Sequence, residues 1–152
     1  MLPRVTGEVQ GPLWIICEDG REYIDRFARF LDGEFRFAHA TDAAALDALL
    51  ASGDAAGIIL DLDFRRTPGE LLVDEAGLTH DAPADALRRR LAETQGLLIL
   101  RRLRARGVTL RVLLFADLDD ASQAAWLEET LAPLAIVPGR EGLAQTAARM
   151  RG

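Results

Sequence analysis

The run Gly57-Ile58-Ile59-Leu60-Asp61-Leu62-Asp63-Phe64 constrains the fold more than any other stretch of the chain. It is too short for a lone helix and closes on two carboxylates one residue apart, the pattern of a buried central strand that delivers Asp61 to a sheet edge. Open α/β sheets place ligands in the crevice outside the carboxyl ends of their parallel strands, so a carboxylate there is a candidate functional group. Leu13-Trp14-Ile15-Ile16-Cys17 is a second wholly apolar strand, and it too runs into acid, at Glu18-Asp19-Gly20.

The segments around these strands alternate regularly. Tyr23, Ile24, Phe27, Phe30 and Leu31 recur at helical spacing and predict an amphipathic helix over 22–31, with Arg21, Asp25, Arg26 and Arg29 outward. Residues 35–40 alternate as a strand, and Thr41 is placed to cap a following helix with Ala45, Leu46, Leu49 and Leu50 inward. After Phe64 the rhythm breaks for about thirty residues, far beyond the roughly 2–6 residues of ordinary connections, so 65–95 is expected to be an insertion. Within it, 70–73 and 76–78 suggest a small hairpin, and Asp81-Ala82-Pro83 a helix start. The leucines from Leu87 to Leu103 keep one helical phase, predicting a single long helix from Ala84 to Arg106, with Gly96 inside it and Gly107 ending it. A fourth strand is expected over 109–115, a helix from Asp120 or Ser122 to Leu131, a fifth strand over 134–137 and a last helix over 141–150. Strands alternating with helices imply a parallel sheet with right-handed crossovers. The chain of 152 residues reads as one domain, 1–152, with a loose lead over 1–11.

Composition narrows the partners. A formal charge of −6 disfavours a general nucleic-acid surface, which needs a basic face. All 18 basic residues other than histidine are arginine; there is no lysine. One cysteine, Cys17, in an apolar run excludes an intrachain disulfide and fits a reducing cytosol. No apolar stretch reaches the roughly 20 residues that span a bilayer, and the start carries no signal-peptide core, so a cytoplasmic location is expected. His39 and His80 are too few and too isolated for a zinc site.

In combination these stretches resemble the response-regulator receiver domain, a CheY-like fold. Ile15-Ile16-Cys17-Glu18-Asp19 is similar to its first strand with an acidic pair, and Ala40 to Leu46 to its second crossover. Ile58-Ile59-Leu60-Asp61 resembles its phosphoacceptor strand, Gly96 to Arg104 its third helix, and Val137-Pro138 falls where the family has Lys-Pro. The resemblance implies a flavodoxin-like (βα)5 three-layer α/β sandwich with a five-stranded parallel sheet and an insertion between strand 3 and helix 3. It implies Asp61 as phosphoacceptor, with Mg²⁺ held by Asp19, Asp61, the Asp63 carbonyl and, through water, Glu18.

Three departures weigh against a working switch. The family's Thr or Ser closing the fourth strand falls at Ala116, its Lys at Val137, and its switch aromatic at Leu134. A chain without lysine cannot supply the ammonium that pairs with a bound phosphoryl group, and arginine differs in reach and geometry. The expectation is therefore a pseudo-receiver: a non-catalytic signalling module that binds proteins independently of phosphorylation, requires no cofactor and retains acids that suit Mg²⁺. The alternative is a working two-component receiver in which Arg65, Arg66 or Thr67 replace the missing groups. A further alternative is a TOPRIM-like nuclease or primase, with Glu18, Asp61 and Asp63 holding Mg²⁺, although Asp19 stands where that family places glycine. The plainer account of the acids is that they cap helices and loops. Arg88, Arg89, Arg90, Arg101, Arg102 and Arg104 form either a solvated face or a docking surface for an acidic partner, an output domain or a second copy of the chain.

Overall fold

Ala55–Asp61 (β3) is the central strand of a five-stranded, all-parallel sheet in a computed structural model that describes residues 11–74 and 84–152. Leu13–Cys17 (β1) and Arg111–Phe115 (β4) flank it, with Arg36–Ala40 (β2) and Leu134–Val137 (β5) at the edges. The order is β2-β1-β3-β4-β5. Every residue from Ile58 to Leu60 is fully buried, because helices cover both faces of the sheet and leave no polar side to the strand. The chain winds one way from β1 to β2 and the other way from β3 onward, so the switch point lies between β1 and β3, whose ends carry Glu18-Asp19 and Asp61.

Two core clusters, one on each face, define three layers. Glu22–Leu31 (α1) and Leu143–Arg151 (α6) pack Ile24, Phe27, Ala147 and Met150 against Trp14, Ile16, Ile59 and Phe115. Ala43–Leu50 (α2), Ala84–Glu93 (α3), Gln95–Ala105 (α4) and Ala121–Thr130 (α5) pack Leu46, Leu91, Leu98, Leu103 and Leu127 against Ile15, Ile58, Leu60, Val112 and Leu114. Phe27 is fully buried among the rings of Tyr23, Phe37 and Phe115; truncating such a side chain costs about 3–5 kcal/mol.

The parallel sheet expected from the strand pattern and the flavodoxin-like architecture implied by the resemblance are present, and α1 and β5 fall on their expected bounds. Several local expectations are corrected. The long helix from Ala84 to Arg106 is two helices, broken at Thr94. The reason is a tight junction with the end of β3: Phe64 donates its N–H to Ala92 O at 2.8 Å and Gly96 to Leu62 O at 2.9 Å. The described half of the expected hairpin is not a strand; Gly69–Leu71 forms a 3-10 turn instead, while residues 76–78, Asp81-Ala82-Pro83 and most of the lead lie outside the described residues. Asp42, not Thr41, caps α2 by accepting the Ala45 N–H, and Asp120 caps α5 by accepting those of Ser122 and Gln123. Helix α6 starts at Leu143 rather than Glu141, whose carboxylate instead binds the Thr146 hydroxyl and the Arg149 guanidinium. Phe30, expected inward, is 60% exposed with the Arg29 guanidinium over its ring, because Ile24 and Phe27 alone fill the buried stripe of α1.

Candidate functional site

Asp61 is the last residue of β3, in register with Phe115 of β4. The Tyr23 ring of α1 lies 4.9 Å from that of Phe115. Burial pushes the Asp61 carboxyl up to about 7, and the charges of Asp19, Glu18 and Asp63 push in the same direction, partly offset by a hydrogen bond from the Leu62 amide. The Tyr23 hydroxyl is likewise pushed up to about 12, first by burial and then by the charges of Asp61 and Glu18. Tyr23 was invisible as a site residue in the sequence; its only signal was an aromatic at the second position of the helix after the acidic pair.

Glu18 follows β1 and is 1% exposed. Its two carboxylate oxygens accept the Tyr23 N–H at 3.0 Å and the Ile24 N–H at 2.8 Å, so this acid serves the N-terminus of α1, whose own cap residue, Arg21, supplies no side-chain bond. His39 approaches the same carboxylate at 3.6 Å and bonds the Gly20 carbonyl at 2.9 Å. Burial raises the Glu18 carboxyl above its ordinary range, while the two amides and His39 pull it back. Asp19 accepts the main-chain N–H of Arg66 at 2.6 Å, and Asp63 accepts the Arg65 guanidinium at 2.6 Å.

A divalent cation of the receiver type needs Glu18, Asp19, Asp61 and the Asp63 carbonyl to converge. Among the described residues no three His, Cys, Asp or Glu side chains are placed to hold a metal ion by themselves. Both Glu18 oxygens accept N–H groups of α1, and one Asp19 oxygen accepts the Arg66 N–H. Cys17 is fully buried, and burial pushes its thiol far up, which makes it a core residue.

The positions where the resemblance places switch residues are apolar. Ala116 follows β4, is 7% exposed, and donates its N–H to Val137 O at 3.0 Å. Val137 is fully buried in the core cluster shared with Phe115, and Leu134 begins β5, half-buried against the opposite cluster. Beside them a cavity of about 650 Å³ opens between the ends of β4 and β5 and α5, lined by Ala116, Ala121, Ala124 and Ile136 with Asp117 and Asp119.

The arginines separate into two groups. Arg88, Arg89 and Arg90 are exposed on α3, Arg88 donating to Thr67 O at 3.3 Å. Those of α4 are half-buried. Arg102 pairs with Asp47 of α2, and Arg104 donates to the carbonyls of Leu131, Val108 and Pro133 at 2.8–2.9 Å. Arg101 sits on the same helix. The continuous arginine face expected from a single helix is thus interrupted at Thr94, and Arg104 is a structural clamp.

No family model matches the chain, and no curated protein matches it. Similar solved structures carry the receiver fold. The receiver domain of Francisella response regulator 1452 aligns with TM-score 0.64 at 12% identity, covering 93% of this chain and 94% of that one. The BeF3-activated N-terminal receiver domain of RstA from Klebsiella pneumoniae aligns at 0.60 and 16% identity, covering 91% and 95%. A structure described as an adenylate cyclase from Rhodopirellula baltica aligns at 0.62 and 12% identity, covering 93% and 85%. At these identities the likeness shows the fold alone, the fold seen in CheY-like receiver domains. No helix among the described residues is long and apolar enough to cross a membrane.

Proposed function

We propose that the chain is a receiver-type signalling module that acts by binding a protein partner in the cytoplasm, without catalysis and independently of phosphorylation at Asp61. The observation that carries this reading is the pair Ala116 and Val137. Both are buried and apolar where a receiver needs a hydroxyl to follow the phosphoryl group and an ammonium to pair with it. No lysine elsewhere in the chain can take the second role. Output then depends on surface. Trp126 of α5 is 56% exposed next to a β5 edge whose Leu134, Ala135 and Ile136 are only half covered, and Arg88, Arg89 and Arg90 offer a basic face on α3. The partner is a signalling protein, an output domain or a second copy of the chain; the basic face suits an acidic surface.

Incubation with a small-molecule phosphodonor and Mg²⁺, followed by intact-mass spectrometry, tests the reading. The expected result is an unmodified chain. A phosphoryl adduct present in wild type and absent in Asp61→Asn would establish a working receiver instead. Once a partner is in hand, Asp61→Asn is expected to leave its affinity within about twofold, a change of under ~0.5 kcal/mol.

A further inference from the structure

We propose that the cavity between the ends of β4 and β5 and α5 is the docking point for an arginine side chain of the partner protein. Its inner wall is apolar: Ala116, Ala121, Ala124 and Ile136 border a volume of about 650 Å³. That falls within the roughly 300–1,000 Å³ of small-ligand pockets, with room for a long side chain and its flanking main chain.

The same cavity carries three carboxylates, and the fold holds two of them in place. Asp117, after β4, accepts the Gly139 N–H at 3.0 Å, and Glu128 of α5 accepts the Ile136 N–H at 2.9 Å. Each bond uses one carboxylate oxygen and leaves the other. Asp119, the third acid, makes no hydrogen bond or ion pair among the described residues. Arg140, the basic residue of the lining, is exposed and pairs with none of the three. The bond to Glu128 also decides how a partner can dock. The Val137 and Pro133 carbonyls bond β4, so the Ile136 N–H faces the open edge of β5, where Glu128 covers it. A partner strand cannot add at that amide, and a side chain entering the cavity is the mode of docking left there.

Charge and shape then name the occupant. An apolar wall under an acidic rim selects a cation on an apolar stem. Arginine suits it better than lysine, because its planar fork can serve carboxylates from both the loop after β4 and α5, and it sheds water more readily. The net charge of −6 favours the approach of a basic segment. The inference rests on the reading that the chain acts by binding a protein, and adds the chemistry of that protein at one point. It is read by arginine binding and not by phosphorylation, so a failure of either is recognised separately.

The test is a two-dimensional amide NMR titration of the whole chain with N-acetyl-arginine amide and, separately, with N-acetyl-citrulline amide, which has the same length and shape without the charge. The arginine probe is expected to give saturable shifts at Ala116, Ala124 and Ile136, and the citrulline probe to bind at least about fivefold more weakly. Asp119→Asn combined with Glu128→Gln is expected to weaken the arginine probe at least about fivefold, while the new carboxamide oxygen still accepts the Ile136 N–H. Asp85→Asn combined with Glu93→Gln removes the same charge from exposed positions of α3 and is expected to leave affinity within about twofold. Ala124→Leu, which fills the cavity, is expected to abolish the shifts. Absence of saturable shifts in wild type would overturn the inference, as would equal binding of the two probes or shifts centred elsewhere. So would an unchanged affinity in the rim variant, an equal loss in the α3 variant, or retained shifts in Ala124→Leu.

Discussion

A Cβ added to Gly96 would lie 2.1 Å from the main-chain oxygen of Asp61, so the start of α4 and the end of the central strand meet without room for a single methyl group. The contact is closed by the Gly96 N–H on Leu62 O. It sets where the strand stops and hence where Asp61 stands. Gly96→Ala is expected to cost about 1–3 kcal/mol in urea unfolding, because neither backbone can retreat from a packed junction. Its amide shifts should concentrate between Asp61 and Phe64. An unchanged midpoint would mean that the junction is loose.

The Asp61 carboxyl is expected to make stability fall as pH rises. Its folded-state value, about 7, lies above its ordinary 3.8, so between the two the folded chain keeps a proton that the unfolded chain has released. Stability is lost as pH rises through that window and levels off above it. Asparagine mimics the neutral acid. Asp61→Asn is therefore expected to melt several degrees above wild type at pH 8 and to converge with it toward pH 4. An advantage that is the same at both pH values would show that the carboxyl is not strained by its surroundings. Glu18 shifts in the same direction and adds to the slope of both proteins.

Arg104 and Arg89 are equal in the sequence and unequal in the structure. Arg104 donates to three carbonyls that gather the Gly107 and Pro133 turns, and burial holds its guanidinium below the ordinary arginine value. Arg89 is exposed on α3. Arg104→Ala is expected to destabilise by about 2–4 kcal/mol and Arg89→Ala by less than about 0.5 kcal/mol. Comparable losses would contradict the division of the arginines into clamp and surface.

Gln95 ties down the described part of the insertion. It is 1% exposed; its Oε1 accepts the Val73 N–H at 2.6 Å while its Nε2 donates to Val73 O at 3.1 Å and Leu91 O at 3.2 Å. Gln95→Leu keeps the volume and removes all three bonds. Hydrogen exchange of the Val73 amide is expected to accelerate by at least about tenfold, with an overall loss of about 1–3 kcal/mol. Retained protection at Val73 would mean that the segment is held by other contacts.

The parts of the fold legible in the sequence were those governed by local pattern. The continuous apolar runs of β1 and β3 and the strong periodicity of α1 each reflect a buried face that the residues themselves declare. What was hidden depends on tertiary neighbours. The leucines keep helical phase across Thr94, so only the contact of Gly96 with Asp61 reveals the break between α3 and α4. Glu18 and Asp19 stood out in the sequence only by their place in a family pattern; the α1 amides and the Arg66 amide that bond them come from tertiary neighbours. Ala116 and Val137 were legible as departures, and the structure adds that both are enclosed.

The most direct measurement of the central claim is a two-dimensional amide NMR titration with Mg²⁺ and then beryllofluoride, which mimics a phosphoryl group on aspartate. With Ala116 and Val137 in place of the switch residues, beryllofluoride is expected to produce no saturable shifts beyond those seen with Mg²⁺. Saturable shifts that start near Asp61 and spread through Ala116 into β4 and β5 would contradict the account and establish a working phosphorylation switch.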